Sequence, residues 1–359
     1  MKSNFKNTKL NTNHGITLVA LIITIIVLLI LAMVSIRLVM NGGIIKIAES
    51  ETNDYSNAQI ETQLKLVYAE DKVGESMGFQ NVQNIQKRLE QIFGEGNVSN
   101  ISTVNRRMRA TIKINGEEKN YLYDERTGEA KEIFPKELSA LTKNNYGDYI
   151  DLGQNVVGTN ATTDDWRILY NDKNGHLYAI LADYLPNNNS AVKASGLHII
   201  SNRINNVNST ISRQDLLDKI SNTTAWQSLI PIWLRNSCQV KGATTVDIIM
   251  ESYNEKYGTN LDYAINTVFY IDGDSSKEID SLYAPHPENE VYNNCYGYWL
   301  TSLYTEDEKA LWYMRYKGVL GYYYYNYSSL GVCPVVSLPS NIQVVSSTLN
   351  GKTIWTVIQ

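Results

Sequence analysis

The residues most suited to recognition chemistry are Gly321-Tyr322-Tyr323-Tyr324-Tyr325-Asn326-Tyr327-Ser328-Ser329. Rigid, amphipathic tyrosines beside adaptable Ser, Gly and Asn are what binding loops favour, and stacked phenol rings suit sugar rings. Strand alternation puts Tyr323, Tyr325 and Tyr327 on one face, with Tyr322 and Tyr324 on the other. All five are candidate ligand contacts, with Tyr323 and Tyr325 as the pair to test. The competing reading is an ordinary strand, one face in the core and one in solvent. Trp299 and Trp312 read as core, because Ala310, Trp312 and Met314 share an apolar strand face.

Other chemistry is harder to build. The histidines His14, His176, His198 and His286 have no metal-ligand spacing, and no nucleophile elbow, phosphate-binding glycine loop or HExxH motif occurs. No catalytic residue, metal or cofactor is assigned, and the chain is not expected to be an enzyme. Asp148, Asp151, Asp164 and Asp165 can contribute to a calcium site, although they lack the alternating acids and glycine of a calcium loop. Cys238, Cys295 and Cys333 are too few and too irregular for a disulfide framework or zinc site. One bridge, Cys295 to Cys333, is open in an oxidising exterior. Arg106, Arg107, Arg109 and Lys113 can be read as an anion-binding stripe or as a solvated strand face. The second is preferred, because a tight turn at Asn115-Gly116 sets Lys113 opposite Glu118 and Arg107 opposite Asp124. With a net charge of −5 and a pI near 5.5, nucleic acid is not an expected partner.

The elements that must position these groups begin with an uncharged run of 21 residues, Ile16 to Ile36. As a helix it is about 32 Å long, enough to cross a bilayer core, and no signal-peptidase site follows it. Lys2, Lys6 and Lys9 precede it. Arg37 and Lys46 follow but are outweighed by Glu49, Glu51 and Asp54, so the N-terminus is expected in the cytoplasm and the C-terminal domains outside. Asn41-Gly42-Gly43 breaks the helix, which resumes from Ile44 to about Asp71 before Gly74 to Gly78 loosens the chain. Val82, Ile85, Leu89, Ile92 and Phe93 mark a second helix, stopped by Gly94 and Gly96. A hairpin over 107–124 follows.

From about Asn144 come many short strands and Asn/Gly turns. Hairpins are expected at 166–182 and 310–327, an amphipathic helix at 245–256, and a buried strand, Val332 to Leu338, interrupted by Pro334. The fold class is α+β. The domains are 1–15, a leader; 16–72, an N-terminal helix with its membrane segment at 16–36; 75–135, a small α/β head; 145–345, a C-terminal surface domain; and 346–359, a C-terminal strand. Tyrosine outnumbers phenylalanine 25 to 5, so rings with one wet edge are expected on the surface as well as in the core.

Gly15-Ile16-Thr17-Leu18-Val19-Ala20 and the aliphatic stretch after it resemble the N-terminal segment of type IV pilins and pseudopilins. The resemblance covers about 60 residues, including the Asn41-Gly42-Gly43-Ile44 break. It implies that a prepilin peptidase cuts between Gly15 and Ile16 and methylates the nitrogen of Ile16. It also implies a helix held in the lipid bilayer until it packs with other pilin or pseudopilin subunits, in a pilus, type II secretion or competence system. Two residues depart from the pattern: His14 where Lys or Arg is usual, and Ala20 where major subunits carry Glu. A glutamate there offsets the buried N-terminal ammonium. Its absence points to a minor subunit used once. The rival is an unprocessed, single-pass surface protein outside any filament.

Asp164-Asp165-Trp166-Arg167-Ile168, the helix Thr245 to Asn254, Tyr298-Trp299-Leu300-Thr301-Ser302 and Gly331-Val332-Cys333-Pro334-Val335-Val336-Ser337-Leu338 resemble a domain of unknown function on bacterial surface proteins. The resemblance implies a C-type-lectin-like fold, shared with formylglycine-generating enzymes and variable phage receptor-binding proteins, and a surface glycan or protein as ligand. Thr301 and Cys333 stand where that family commonly has Arg. Copper-dependent formylglycine chemistry needs a cysteine pair that these positions do not match.

Overall fold

The computed structural model describes residues 57–76, 82–104, 106–154, 156, 165–172, 174–185, 189–195, 197, 212–262, 264–285, 296–324, 330–349 and 351–358. The leader, Gly15, Ile16, Ala20 and the membrane run lie outside these residues. Among the described residues no helix is long and apolar enough to cross a membrane. The fold is α+β, mostly sheet with few helices, and it divides into two units.

The described part of the first unit holds residues 57–76, 82–101 and 111–119. Helix α1 spans Asn57–Ser76 and α2 spans Val82–Phe93. Ile60, Leu64, Val67 and Tyr68 form the buried stripe of α1, and Ile85, Leu89 and Phe93 that of α2, each at helical spacing. The α1 helix continues through Gly74 to Ser76, past the expected end near Asp71. A glycine costs a helix interior about 1 kcal/mol, too little to stop one held by a buried face. Arg88 of α2 pairs with Glu70 of α1 at 3.2 Å.

A four-stranded sheet runs in the order β1 (Val98–Val104), β2 (Arg107–Ile114), β3 (Glu117–Asp124), β4 (Glu129–Ile133). Its 111–119 tip belongs to the first unit, while 102–110 and 120–133 belong to the second. Asn115 (φ 52°) and Gly116 (φ 85°) make the β2–β3 turn, both in the left-handed region that such a two-residue hairpin demands.

The second unit is built on an eight-stranded sheet in the order β5-β14-β15-β6-β7-β8-β13-β9. These strands are β5 (Lys136–Glu137), β6 (Tyr149–Asp151), β7 (Trp166–Asn171), β8 (His176–Leu181), β9 (Gln239–Lys241), β13 (Val335–Pro339), β14 (Gln343–Leu349) and β15 (Lys352–Ile358). Every ladder is antiparallel except β15 on β6, where Ile354, Trp355 and Thr356 lie opposite Tyr149, Ile150 and Asp151. Of the expected C-terminal strand at 346–359, the described residues join β14 and β15, which pair as a hairpin inside this sheet.

Among the described residues, three α-helices lie between β8 and β9, α3 (Ser190–Ser195), α4 (Arg213–Ser221) and α5 (Thr223–Trp226); α6 (Val246–Tyr257) follows β9. A second sheet has the order β10 (Gly297–Leu303), β11 (Ala310–Arg315), β12 (Val319–Tyr324). Gly297 has φ 155°, and a Cβ there would collide with the Met314 carbonyl, so β10 can approach β11 this closely only with glycine. One apolar core unites both sheets and α6, with Trp166, Trp226, Tyr253, Tyr283, Tyr298 and Phe269 fully buried.

Arg106 and Lys113 are exposed and Arg109 is half-buried, as a solvated face requires, but Arg107 is not. Arg107 is buried, and its guanidinium bonds to Asp124 at 3.0 Å and to Asp151, which has no exposed surface. Arg126 reaches Asp124 at 2.7 Å and Asp151 at 3.2 Å. The expected Arg107–Asp124 pairing is present, but β6 supplies a second carboxylate and covers it. Burial pushes the Asp151 carboxyl above its ordinary value, against the pull of Arg107.

The aspartates that suggested calcium are committed to protein donors. Asp151 also accepts from the Gly153 N–H. Asp165 accepts from the Val156 N–H, and Asp148 accepts from Asn145 and the Trp355 indole. Asp164 lies outside the described residues.

Removing one partner of a buried ion pair strands the other, at a cost of about 3–5 kcal/mol. Asp151→Asn should therefore lower the urea unfolding free energy of the full chain by about that much. The double change Arg107→Met with Asp151→Leu should lose less. A loss below about 1 kcal/mol for Asp151→Asn would show that the pair is not the buried anchor described.

Candidate functional site

The tyrosine strand is β12, and its register on β11 decides which rings face solvent. Met314 lies opposite Leu320, Trp312 opposite Tyr322, and Ala310 opposite Tyr324. The first row is fully buried, whereas Tyr322 is 36 % and Tyr324 48 % exposed. The even-numbered face thus passes from core to solvent along the strand. On the odd face Tyr323 is half-buried, edge-on to Tyr313 at 5.9 Å, and both pack against the core. Gly321 makes room for that arrangement, since a Cβ would come within 2.9 Å of the Tyr313 ring.

The exposed described members of the run are therefore Tyr322 and Tyr324, while Tyr323 serves packing. Tyr325 and Tyr327 lie outside the described residues.

Two rings absent from the sequence-based site complete it. Tyr304, just beyond β10, stacks on Tyr322 with centroids 4.2 Å apart and planes 2° from parallel. Trp312 meets Tyr304 edge-on at 5.3 Å and 84°. Trp312 and Tyr304 are buried, so the three rings form a layered stack from core to surface, with Tyr322 outermost. Ring pairs of this kind are worth about 0.5–1.5 kcal/mol each beyond area burial. They hold Tyr322 ready, so a ligand would meet an aromatic surface that needs little ordering. The sequence signal for Tyr304 was weak, because its partner on β12 lies 18 residues away.

The stack is tied down at one phenol. Tyr304 Oη donates to Glu306 Oε2 at 2.6 Å, and this bond pushes the phenol up to about 12. A hydrogen bond to a carboxylate favours the neutral phenol and opposes a second negative charge beside it.

The remaining candidates fall elsewhere. Cys333 is a free, buried thiol donating to the Leu181 carbonyl at 3.1 Å, and burial holds its pKa well above the usual thiol value. Cys295 lies outside the described residues, as do His14, His198 and His286. Trp299 is buried in the core. Among the described residues no group of three or more His, Cys, Asp or Glu is placed to hold a metal ion.

Compared with protein-family models, curated proteins and solved structures, the chain matches none.

The Tyr304–Glu306 bond makes a pH prediction. The phenol should titrate near 12 in the native chain and move down toward 10 in Glu306→Gln. Tyrosine ring-carbon NMR on the labelled protein reads this directly. An unchanged midpoint would mean that the carboxylate does not hold the ring.

Proposed function

We propose that this chain is a minor pilin- or pseudopilin-like surface protein, anchored by its N-terminal apolar helix and presenting its C-terminal domain for ligand binding. Gly15 directly before the apolar run carries the anchoring part. Position and run length together make Gly15–Ile16 a prepilin cleavage point and Ile16 the methylated N-terminus. The exposed aromatic stack carries the binding part. A preformed phenol surface with a wet edge suits the C–H face and hydroxyls of a sugar ring, so a surface glycan is the ligand we favour over a protein.

The lectin-like reading of the fold rests on the four segments that carry the resemblance. Trp166 and Ile168 of β7, Ile249 and Met250 of α6, Tyr298 and Trp299 of β10, and Val335 and Val336 of β13 share one core. Prepilin peptidase, other pilin subunits and the lipid bilayer are the partners this function requires. Ala20 leaves the N-terminal ammonium without a neighbouring carboxylate, which suits a subunit used once rather than one repeated along a filament.

Mass spectrometry of the N-terminus decides the anchoring part. In cells carrying the peptidase the mature chain should begin at N-methylated Ile16. A chain that keeps residues 1–15 would instead be an unprocessed, single-pass anchored protein.

A glycan array probed with the full chain in detergent tests the binding part. Tyr322→Ala should abolish any glycan signal, and Tyr324→Ala should weaken it. An array that stays blank, or a signal indifferent to Tyr322, would falsify the aromatic face as the ligand site.

A further inference from the structure

A concave cleft of about 340 Å³ lies in the second unit and shares no residue with the aromatic stack. Its floor is one face of three adjacent strands. Tyr178, Ser337 and Gln239 form one cross-strand row, and Val335 and Lys241 belong to the next. Thr245 and Ile248, from the start of α6, form a wall, and Thr301 of β10 closes one side. The volume is at the small end of ligand sites, suited to one or two rings rather than a polymer chain.

The lining is rich in hydroxyls and amides that both donate and accept, the pattern a polyol needs. Val335, Ala243 and Ile248 supply apolar surface between them. The charge is one-sided within the lining: Lys241 makes no ion pair among the described residues, and no carboxylate lines the cleft.

The α6 N-terminus adds its positive dipole. Two of its first-turn N–H groups are already capped, Val246 by Ser302 Oγ at 2.9 Å and Ile248 by Thr245 Oγ1 at 3.2 Å. The helix therefore contributes field more than open donors. Asp247, exposed on the same turn, does not line the cleft. His176, at the rim, lies 3.7 Å from Asp172.

Thr244 also lines the cleft, but its hydroxyl is buried without a hydrogen-bond partner among the described residues and closed to solvent, so it is not a contact for an occupant. Its carbonyl is used within the protein, accepting from both the N–H and the hydroxyl of Thr301.

Gly242 fixes the approach. A Cβ there would lie 2.6 Å from the Trp226 ring, so the chain passes flat against that indole between Lys241 and Thr244.

We propose that this cleft binds a carboxylated monosaccharide, with the sugar hydroxyls on the strand floor of Tyr178, Ser337 and Gln239, and the carboxylate toward Lys241 and the α6 N-terminus. The full chain in detergent micelles should be titrated calorimetrically with D-glucuronate, D-glucose and acetate. Glucuronate should bind about tenfold or more tighter than either of the others, and weaken as salt rises. Lys241→Ala should cost about tenfold in glucuronate affinity.

Equal affinity for glucose would overturn the charge recognition, and equal affinity for acetate would overturn the sugar recognition. No binding at roughly 50 mM glucuronate, or an unchanged Lys241→Ala affinity, would overturn the site. None of these outcomes bears on the aromatic face or on the N-terminal processing.

Discussion

One buried carboxylate, Asp151, ties strands early in the second unit to its last strand. It lies on β6 opposite Thr356 of the last strand, in the one parallel ladder of the eight-stranded sheet. It takes the guanidiniums of Arg107 and Arg126 and the Gly153 N–H. Parallel neighbours cannot be joined by a tight turn. Here the connection between β6 and β15 holds nearly all the rest of the unit, including α6, the three-stranded sheet, the aromatic stack and the cleft. The root of that long excursion must be well fixed, and a fully paired carboxylate fixes it in position and register. Charge this deep is tolerated only because every donor around it points inward.

Tyrosine does two jobs in this unit, and the hydroxyl separates them. In the core Tyr298 donates to the Tyr283 carbonyl at 2.9 Å, Tyr253 donates to the Tyr270 carbonyl at 2.6 Å, and Tyr283 shares a bond with Ser252 at 2.9 Å. These phenols satisfy loop carbonyls and hydroxyls where regular ladders end, which phenylalanine could not do. Burial keeps Tyr283 and Tyr298 neutral far above the usual phenol value. At the surface the same residue presents a ring face, with Tyr322 braced by Tyr304 and Trp312. The excess of tyrosine over phenylalanine therefore reflects internal hydrogen bonding as well as rings at the surface.

Local pattern was legible where a short segment decides its own structure. The Asn115-Gly116 turn, the α2 periodicity, the 166–181 and 310–324 hairpins and the α6 stripe are all within reach of near neighbours in sequence. Errors came where a distant segment intervenes. Arg107 read as part of a solvated face because Asp151, 44 residues away, is invisible to local alternation. Asp148 read as a loose ligand partly for the same reason, since the Trp355 indole that donates to it comes from the last strand. Gly74 read as a stop because its cost is local, whereas the buried face that outweighs it is not. Within the tyrosine run, alternation separates Tyr323 from Tyr322 and Tyr324, and only the pairing with β11 tells which of these three rings meet solvent.

The sequence by itself determined the fold class, the hairpins and their turns, and a run of aromatic residues able to face a ligand. Period-2 and period-3.6 patterns and positive-φ turn residues act over a few positions, so they can be read without coordinates. The tertiary structure alone decided that Tyr322 is braced by Tyr304, that Asp151 is buried between arginines, and that Lys241 and Gln239 line one cleft. Each of these depends on strand order and register across tens to hundreds of residues. That order is set by how the whole core closes, because no single segment can bury its apolar face alone.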